Sequence, residues 1–324
     1  MLSTHRTTIC GTRTNRVVGG CSPSWPRATL CLLERRLGAR PQNRGVVACD
    51  RRTMSTQGAA ILAAGSGAEF KQTVVITGAS RGIGLEFARQ LLQAGGYRVV
   101  ATCRRPEEAH ELQRLASEMP GRMIGPLPLD VTDGASVLRA VESVTAQATA
   151  VHLLINNAGI PNHKDPQDHV LNTTPEMFNA VYDVNCTGIL RTTQAFLPLL
   201  RAARGVVVNV SSPVGSLAKA DALSPGFFAA YRCAKAAANM LTRTLAAGEQ
   251  QVSFLALQPG PVATEQGRVM RSKVPGLPDE VVEGVPAAEA VKSMLEQILK
   301  RSQEPAASRG SGASLFMDGT KYPW

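Results

Sequence analysis

Seven short apolar runs that alternate with helix-like segments constrain the fold of this chain more than any other feature. Because the runs lack polar alternation, they suit strands that are buried on both faces, as in a parallel sheet covered by helices. They occupy residues 73–77, 98–102, 123–129, 151–155, 206–210, 252–257 and 314–317. The alternation predicts an α/β fold in which right-handed crossovers build one doubly wound parallel sheet of about seven strands.

Helical patterns fill the intervals between these runs, and no second domain is apparent. They occupy residues 83–94, 106–119, 136–146, 175–200, 229–247 and 286–301. The stretch from Thr264 to Val285 is rich in Pro and Gly and interrupts the alternation, so it is predicted to be an irregular loop over a functional site, with a surface linker as the alternative. Residues 71–324 are predicted to form a single-domain Rossmann fold with helices flanking the sheet.

Residues 1–70 differ in composition and are predicted to be a disordered basic leader. This segment has ten arginines, no lysine and three acidic residues, so it holds +7 of the net charge of +10. Arg-rich and Ser-rich segments with few acids are typical of organellar transit peptides. We therefore expect import into a mitochondrion or a plastid. Two alternatives stay open: a leader without function, or a translation start at Met54 that gives a cytoplasmic protein.

The charge outside the leader is small, which removes the main argument for a nucleic-acid partner. Residues 71–324 hold only +3 of the net charge of +10.

The sequence has no run of about 18 apolar residues, so no membrane span is predicted. The seven cysteines form no C-x-x-C pair, which favours a reducing compartment. A polar cluster at residues 163–169 is interpreted as a solvated loop, and no metal is predicted.

A glycine-rich turn, TGASRGIG at residues 77–84, directly follows the first predicted strand and opens the first helix. Glycines at such a turn let the backbone approach a pyrophosphate, and the helix N-terminus adds free N–H groups and a partial positive charge. The spacing is G-x-x-x-G-x-G and differs from the more familiar G-x-G-x-x-G. The turn predicts a dinucleotide site that includes Gly78, Ser80, Arg81, Gly82, Ile83 and Gly84.

The end of the second predicted strand bears on the choice between NAD and NADP. An NAD enzyme tends to carry an acidic residue there that binds the ribose 2′-hydroxyl, whereas residues 97–106 contain none. Arg104 and Arg105 follow this strand, and Arg81 stands in the glycine turn. Guanidinium groups suit a 2′-phosphate by charge and bidentate geometry, although Arg105 also fits a surface position. The sequence therefore predicts NADP(H), with Arg104 in the site.

Polar and small residues also end the third and fourth predicted strands. The Asp130 carboxylate can accept a hydrogen bond from the adenine amino group, or it can cap the segment that follows. Asn157, Ala158 and Gly159 can line the cofactor or tie strands together. We assign all four to the predicted cofactor site.

Tyr231 and Lys235 are four residues apart in a helical segment, so their side chains share one face. A phenol with a pKa of about 10 is a poor acid–base group at neutral pH unless its phenolate is stabilised. A nearby ammonium and an oxidised nicotinamide would provide this stabilisation. Because such a pair is common by chance, its meaning depends on the motifs around it.

Six motifs in a fixed order resemble those of the short-chain dehydrogenase/reductase family. They are TGASRGIG at 77–84, NNAG at 156–159, V-N-x-x-G at 184–188, NVSS at 209–212, YRCAK at 231–235 and Pro-Gly at 259–260. The resemblance covers residues 72–324 and implies an NADP-dependent oxidoreductase that acts on CH–OH or C=O groups. It adds to the cofactor site Tyr231, Lys235, Pro259, Gly260, Val262 and Thr264.

The same resemblance implies a catalytic tetrad. Tyr231 would donate the proton in reduction, and Lys235 would lower its pKa and bind the nicotinamide ribose. Ser212, the second serine of NVSS, would hydrogen-bond the carbonyl oxygen where negative charge develops. Asn185 would hold a water that links Lys235 to solvent.

The interval of nineteen residues from Ser212 to Tyr231, together with the ending FMDGTKYPW, resembles the C-factor and sniffer-type carbonyl reductases. This resemblance implies hydride transfer from NADPH to an aldehyde, ketone or quinone. The interval would also provide an apolar pocket with Val214, Leu217, Phe227 and Phe228. The alternatives are a dehydrogenase that works in the opposite direction and a non-catalytic NADP-binding sensor or signalling protein.

The predicted partners are a small carbonyl or alcohol substrate and further copies of the chain. The family resemblance implies a homodimer or homotetramer that pairs through the fourth and fifth large helices, although the carbonyl reductase branch includes monomers.

Overall fold

The computed structural model describes residues 72–161, 169–220, 226–272, 274, 279–302 and 312–324. The predicted leader at residues 1–70 lies outside these residues, so both the transit peptide and the site of import stay predictions. Most of the polar cluster at 163–169 lies outside them as well. No helix in the described ranges is long and apolar enough to cross a membrane.

The described residues form one seven-stranded parallel sheet, which confirms the predicted fold class. The strands are β1 Gln72–Ile76, β2 Tyr97–Cys103, β3 Met123–Pro128, β4 Leu153–Asn156, β5 Val206–Val210, β6 Ser253–Gln258 and β7 Ala313–Phe316. Their order across the sheet is β3-β2-β1-β4-β5-β6-β7. The order reverses at β1 and β4, and in open α/β sheets ligands bind outside the carboxyl ends of the strands at such a point.

Helices cover both faces of the sheet. They are α1 Gly82–Ala94, α2 His110–Glu118, α3 Gly134–Thr145, α4 Pro175–Tyr182, α5 Gly188–Ala203, α6 Ala229–Gly248, α7 Glu265–Arg271, α8 Asp279–Glu283 and α9 Ala287–Ser302. Apolar side chains of α1, α2 and α9 pack in one buried cluster with alternate strand residues, such as Leu153 and Ile155 of β4. On the opposite face, Asn156 of β4 donates a hydrogen bond to Thr193 of α5.

The long helix predicted over residues 175–200 is interrupted. A π-helical turn at Asp183–Thr187 lies between α4 and α5, and it contains Asn185. Single π turns inside α-helices occur frequently at functional sites. The helical pattern of apolar residues continues through this turn, so the sequence alone gave no sign of it.

The prediction of an irregular loop from Thr264 to Val285 was wrong for part of its length, because this stretch contains α7 and α8. The hydroxyl of Thr264 accepts a hydrogen bond from the Gly267 amide at 3.0 Å and thereby caps α7. A threonine N-cap of this kind satisfies one of the free amides of a first helical turn. Helix α7 is only seven residues long, which is too short for a strong apolar periodicity.

Residues 313–324 form a hairpin-like end, named here the C-terminal hairpin. After β7 the chain turns at Asp318–Gly319 and returns, so that the Tyr322 amide donates to the Ser314 carbonyl at 2.9 Å. The rings of Phe316 and Tyr322 stack at 6.0 Å between centroids. The end of the chain is thus fixed beside the sheet.

Candidate active site

A cavity of about 1080 Å³ lies at the carboxyl ends of the central strands. It contains most of the residues that the sequence predicted for the cofactor and for catalysis. Those that line it are Gly78, Ser80, Arg81, Gly82, Ile83, Arg104, Asp130, Asn157, Ala158, Gly159, Ser212, Tyr231, Lys235, Pro259, Gly260, Val262 and Thr264. Gly84 and Asn185 do not line it. The fold therefore brings distant motifs to one place.

The glycine turn is fixed by the NNAG segment. The Asn157 side-chain amide donates to the carbonyls of Thr77 at 3.0 Å and Gly78 at 2.9 Å. In return, the Thr77 hydroxyl accepts from the backbone amides of Asn157 and Ala158, both at 3.1 Å. Asn157 therefore ties β1 to β4, as one of its two interpretations held, and it also lines the cavity, where contact with the cofactor stays a prediction.

Two glycines of this turn are required by close contacts. Gly78 has φ +67°, and a Cβ placed on it would lie 2.8 Å from the Cα of Ala158. A Cβ on Gly84 would lie 2.5 Å from the Asn157 amide nitrogen. Gly84 therefore serves the packing of α1 against the turn and does not face the cavity.

The start of α1 suits a pyrophosphate. Arg81 occupies the N-cap position and makes no capping bond with its side chain. Because the first amides of a helix have no intrahelical partner, they can donate to an anion. With the positive φ of Gly78 and Gly82, this geometry fits the phosphates of a dinucleotide.

The three candidate arginines differ in their surroundings. Arg105 pairs with Glu108 at 2.7 Å, which agrees with its interpretation as a surface residue. Arg81 pairs with Glu265 at 3.7 Å across two exposed side chains, a contact of little energetic weight. Arg104 lines the cavity without an ion-pair partner among the described residues. Its guanidinium fits the 2′-phosphate that the sequence predicted.

Asp130 lines the cavity and also stabilises the turn after β3. One of its carboxylate oxygens accepts from the Thr132 amide at 2.9 Å and from the Thr132 hydroxyl at 2.7 Å. The cap of α3 is Asp133, which accepts from the Ala135 amide at 2.9 Å. Asp130 is therefore not the helix cap, and its position at the cavity keeps the adenine contact as a prediction.

The two serines of the NVSS motif differ in their burial and in their hydrogen-bond partners. Ser211 is buried and donates its hydroxyl proton to Asn239 at 2.5 Å. Ser212 lines the cavity and hydrogen-bonds Tyr231. The structure thus gives Ser211 a packing role and leaves Ser212 beside the candidate proton donor.

Lys235 is almost completely buried, at 3% exposure, and donates to the Val210 carbonyl at 2.8 Å. Its ammonium lies 5.5 Å from the centre of the Tyr231 ring. Burial lowers the pKa of Lys235 to about 8, and the Cys186 thiol opposes this by its charge when ionised. The lysine can therefore lose its proton within a mildly alkaline range.

The pKa of Tyr231 differs from the expectation. Burial raises it to about 12, and the hydrogen bond with Ser212 opposes the rise. The sequence predicted that Lys235 would lower this pKa. Burial instead has the largest effect, because low-polarity surroundings disfavour the charged phenolate. A raised pKa keeps the phenol protonated at neutral pH.

Asn185 lies behind the cavity wall, fully buried in the π turn. Its amide nitrogen donates to the carbonyls of Ile160 at 2.7 Å and Val181 at 2.9 Å. Its carbonyl oxygen has no hydrogen-bond partner among the described residues. A Cβ on Gly159 would lie 2.7 Å from that oxygen and 3.7 Å from the Lys235 ammonium. The two groups therefore lie near one another, as a relay through Asn185 requires.

The predicted apolar pocket is correct for only two of its four residues. Val214 and Phe228 line the cavity. Leu217 is 76% exposed, and Phe227 packs edge-on against His169 at 5.5 Å between ring centroids. The walls of the cavity instead include Ile160 and further apolar residues from the π turn and the α7–α8 stretch, namely Val184, Met270 and Val281.

Two positioning residues escaped the sequence analysis. Asn239 donates to the Gly215 carbonyl at 3.3 Å while accepting from Ser211. A Cβ on Gly215 would lie 2.8 Å from the Cβ of Lys235, so this glycine lets the segment after Ser212 rest on α6. A signal for Asn239 was available, because it follows Lys235 by four residues and shares its helical face with Tyr231.

Comparison with known proteins decides the family. A family model described as short chain dehydrogenase matches residues 72–274. The chain belongs to this family. It is an oxidoreductase, and its resemblance to carbonyl reductases of the family is confirmed.

Several characterised members resemble it over most of their length. Galactitol 2-dehydrogenase (L-tagatose-forming) of Cereibacter sphaeroides is 32% identical over 77% of this chain and 94% of its own. The NADPH-bound carbonyl reductase from chicken fatty liver is 35% identical, with a TM-score of 0.68 over 78% of this chain and 99% of that one. The carbonyl reductase Sniffer of D. melanogaster, at 23% identity and a TM-score of 0.65, shares the fold.

Proposed function

We propose that this protein is an NADPH-dependent carbonyl reductase that reduces an aldehyde, ketone or quinone, with Tyr231 as the proton donor. One observation carries the proposal: Ser212, Tyr231 and Lys235 line the same cavity as the glycine turn. A carbonyl group placed beside the phenol would therefore also lie within the dinucleotide site. The similarity to the chicken carbonyl reductase supports the same reaction class.

The proposed cofactor is NADP(H). The glycine turn and the N-terminus of α1 would hold its pyrophosphate, and Arg104 would bind the 2′-phosphate. Solved relatives contain this cofactor, among them a short-chain dehydrogenase/reductase from Burkholderia multivorans with bound NADP at 26% identity. NADPH supplies the hydride when it is bound; all other groups of the reaction come from the protein.

Ser212 and Tyr231 would both donate hydrogen bonds to the substrate oxygen. These donors stabilise the negative charge that develops on the oxygen as the carbonyl carbon is reduced. Tyr231 then transfers its phenolic proton to that oxygen and becomes a phenolate. The ammonium of Lys235, buried and held by the Val210 carbonyl, stabilises the phenolate by its charge.

The phenolate must regain a proton before the next turnover. Lys235 is the nearest proton source, and its lowered pKa makes release of a proton easier than from an exposed lysine. The carbonyl oxygen of Asn185, which has no partner among the described residues, lies near Lys235 and can accept a hydrogen bond from a water. We therefore assign proton return to a path in which Lys235 gives its proton to the Tyr231 phenolate and regains one from solvent through a water held by Asn185.

The test is loss of NADPH absorbance by the full chain with a panel of aldehydes, ketones and quinones, beside Tyr231→Phe. The variant keeps the ring but lacks the proton, so we expect kcat to fall about 10²–10⁴-fold. The NADPH Kd, measured by fluorescence titration, should change little. NADPH binding without turnover of any carbonyl by the wild type would refute the proposal and favour the sensor function.

A further inference from the structure

The C-terminal hairpin contacts the segment that follows Ser212. The backbone oxygen of Trp324 accepts hydrogen bonds from the Ala218 amide at 3.0 Å and from the Ser216 hydroxyl at 3.2 Å. The Trp324 ring lies 5.7 Å from the Arg243 guanidinium of α6. Trp324 therefore connects residues 216–218 to the helix that carries Tyr231 and Lys235.

Among the described residues, one further contact holds the outer side of this segment: Arg232 of α6 donates to the Ala220 carbonyl at 2.5 Å, just beyond residues 216–218. Leu217, Ala218 and Lys219 are all exposed, so burial of their side chains contributes little. At the inner end, Gly215 rests on Lys235 and accepts a hydrogen bond from Asn239. Residues 212–218 are thus fixed at two points, α6 at one end and Trp324 at the other, and Val214 lines the cavity between them.

We propose that Trp324 is a positioning residue for the carbonyl substrate, which it serves by fixing the wall formed by residues 212–218. The inference rests on the proposed function. Without the ring contact to Arg243, the described contacts would hold Trp324 only through Tyr322, two residues earlier, and through its own two hydrogen bonds, so its backbone would be less firmly placed. The wall at Val214 would then adopt several positions, and the substrate would lose affinity more than the reaction would lose rate.

The same hairpin makes a second contact, on the cofactor side of the cavity, that does not involve Trp324. The Phe316 ring lies against Gly260, where a Cβ would come within 2.8 Å of it. Gly260 belongs to the cofactor side of the cavity, and Phe316 stacks on Tyr322 and not on Trp324. Replacement of Trp324 alone should therefore leave the cofactor side in place.

The experiment compares the full-length wild type with Trp324→Ala, Trp324→Phe and Arg243→Gln. Lys321→Ala, at an exposed position of the same hairpin, is the matched control. For each protein, KM and kcat are measured with a bulky ketone and a small aldehyde from the panel, and the NADPH Kd by fluorescence titration.

We expect Trp324→Ala to raise KM for the bulky ketone about fivefold, since a cation–π contact between partly exposed groups has this order of effect. Values of kcat and the NADPH Kd should stay within about twofold, because Tyr231 and the glycine turn are untouched. Trp324→Phe should restore most of the KM, and Lys321→Ala should leave it unchanged. Arg243→Gln should act like Trp324→Ala. A further variant that combines Trp324→Ala with Arg243→Gln should have no higher KM than either single variant, because both substitutions remove the same contact.

An unchanged KM in Trp324→Ala, in an active protein, would overturn the inference and leave the proposed function intact. A parallel loss of kcat and NADPH affinity would overturn it too, because it would mark general disorder. If Trp324→Ala does not fold, Ser216→Ala decides in its place, since it removes one of the two donors to Trp324. Absence of all carbonyl turnover by the wild type would overturn the proposed function and the inference with it.

Discussion

The lowered pKa of Lys235 leads to a specific pH dependence. The proposed reduction requires Tyr231 in its protonated form and Lys235 in its charged form. Their pKa values are about 12 and about 8, so both groups are in the required state below neutral pH. As the pH rises through 8, Lys235 loses its proton first, while Tyr231 stays protonated. Activity should therefore be flat at low pH and fall on the alkaline side.

The size of the fall follows from the titration of one group. With a pKa of about 8, roughly nine-tenths of Lys235 is charged at pH 7 and roughly one-tenth at pH 9. We expect kcat/KM for NADPH to fall about tenfold over this range. This parameter reports ionisations of the free enzyme, which is the form that the structure describes.

The assay measures initial rates of NADPH oxidation from pH 6 to pH 10 at constant ionic strength and at a fixed carbonyl concentration well below its KM. Lys235→Arg is the control, because a guanidinium stays charged throughout this range. Its activity should be lower at every pH, but the break near pH 8 should disappear. A flat profile in the wild type, or a break that persists in Lys235→Arg, would refute the assignment of this ionisation to Lys235.

Two further predictions concern packing and cofactor choice. Gly215→Ala should lower the free energy of unfolding by about 1–3 kcal/mol in chemical denaturation, because its Cβ would meet Lys235 at 2.8 Å; an unchanged midpoint would show that the turn can move. Arg104→Ala should raise the NADPH Kd about tenfold or more and leave the NADH Kd unchanged, since it removes a charged hydrogen bond to the 2′-phosphate alone. Equal losses for both cofactors would contradict that role.

The sequence predicted the fold well because strands buried on both faces leave a clear pattern of apolar runs. The continuous burial of Val206–Val210 is an example. The glycine turn, Arg104, Asp130 and the NNAG residues could be placed at the cavity for a related reason, since they follow strands and the carboxyl ends of parallel strands meet at one edge. Both inferences depend only on order along the chain.

Features that depend on three-dimensional neighbours could not be predicted. The π turn around Asn185 leaves the helical pattern unchanged, and its effect appears only when the side chain is seen beside Gly159. The raised pKa of Tyr231 reflects burial by residues distant in sequence. Leu217 was misplaced because its apolar character says nothing about direction, and the chain turns it to solvent.

The two edge strands of the sheet are protected from pairing with other chains in different ways, which affects the tendency of the protein to aggregate. At one edge, β3 contains Pro126 and Pro128, which have no N–H to offer to another strand. At the other edge, the returning C-terminal hairpin pairs with β7, so its backbone groups are already used. Exposed edges are templates on which further chains can add. Loss of the last few residues would therefore leave the outer edge of β7 unpaired. Shortened chains should then self-associate, even where their active sites are intact.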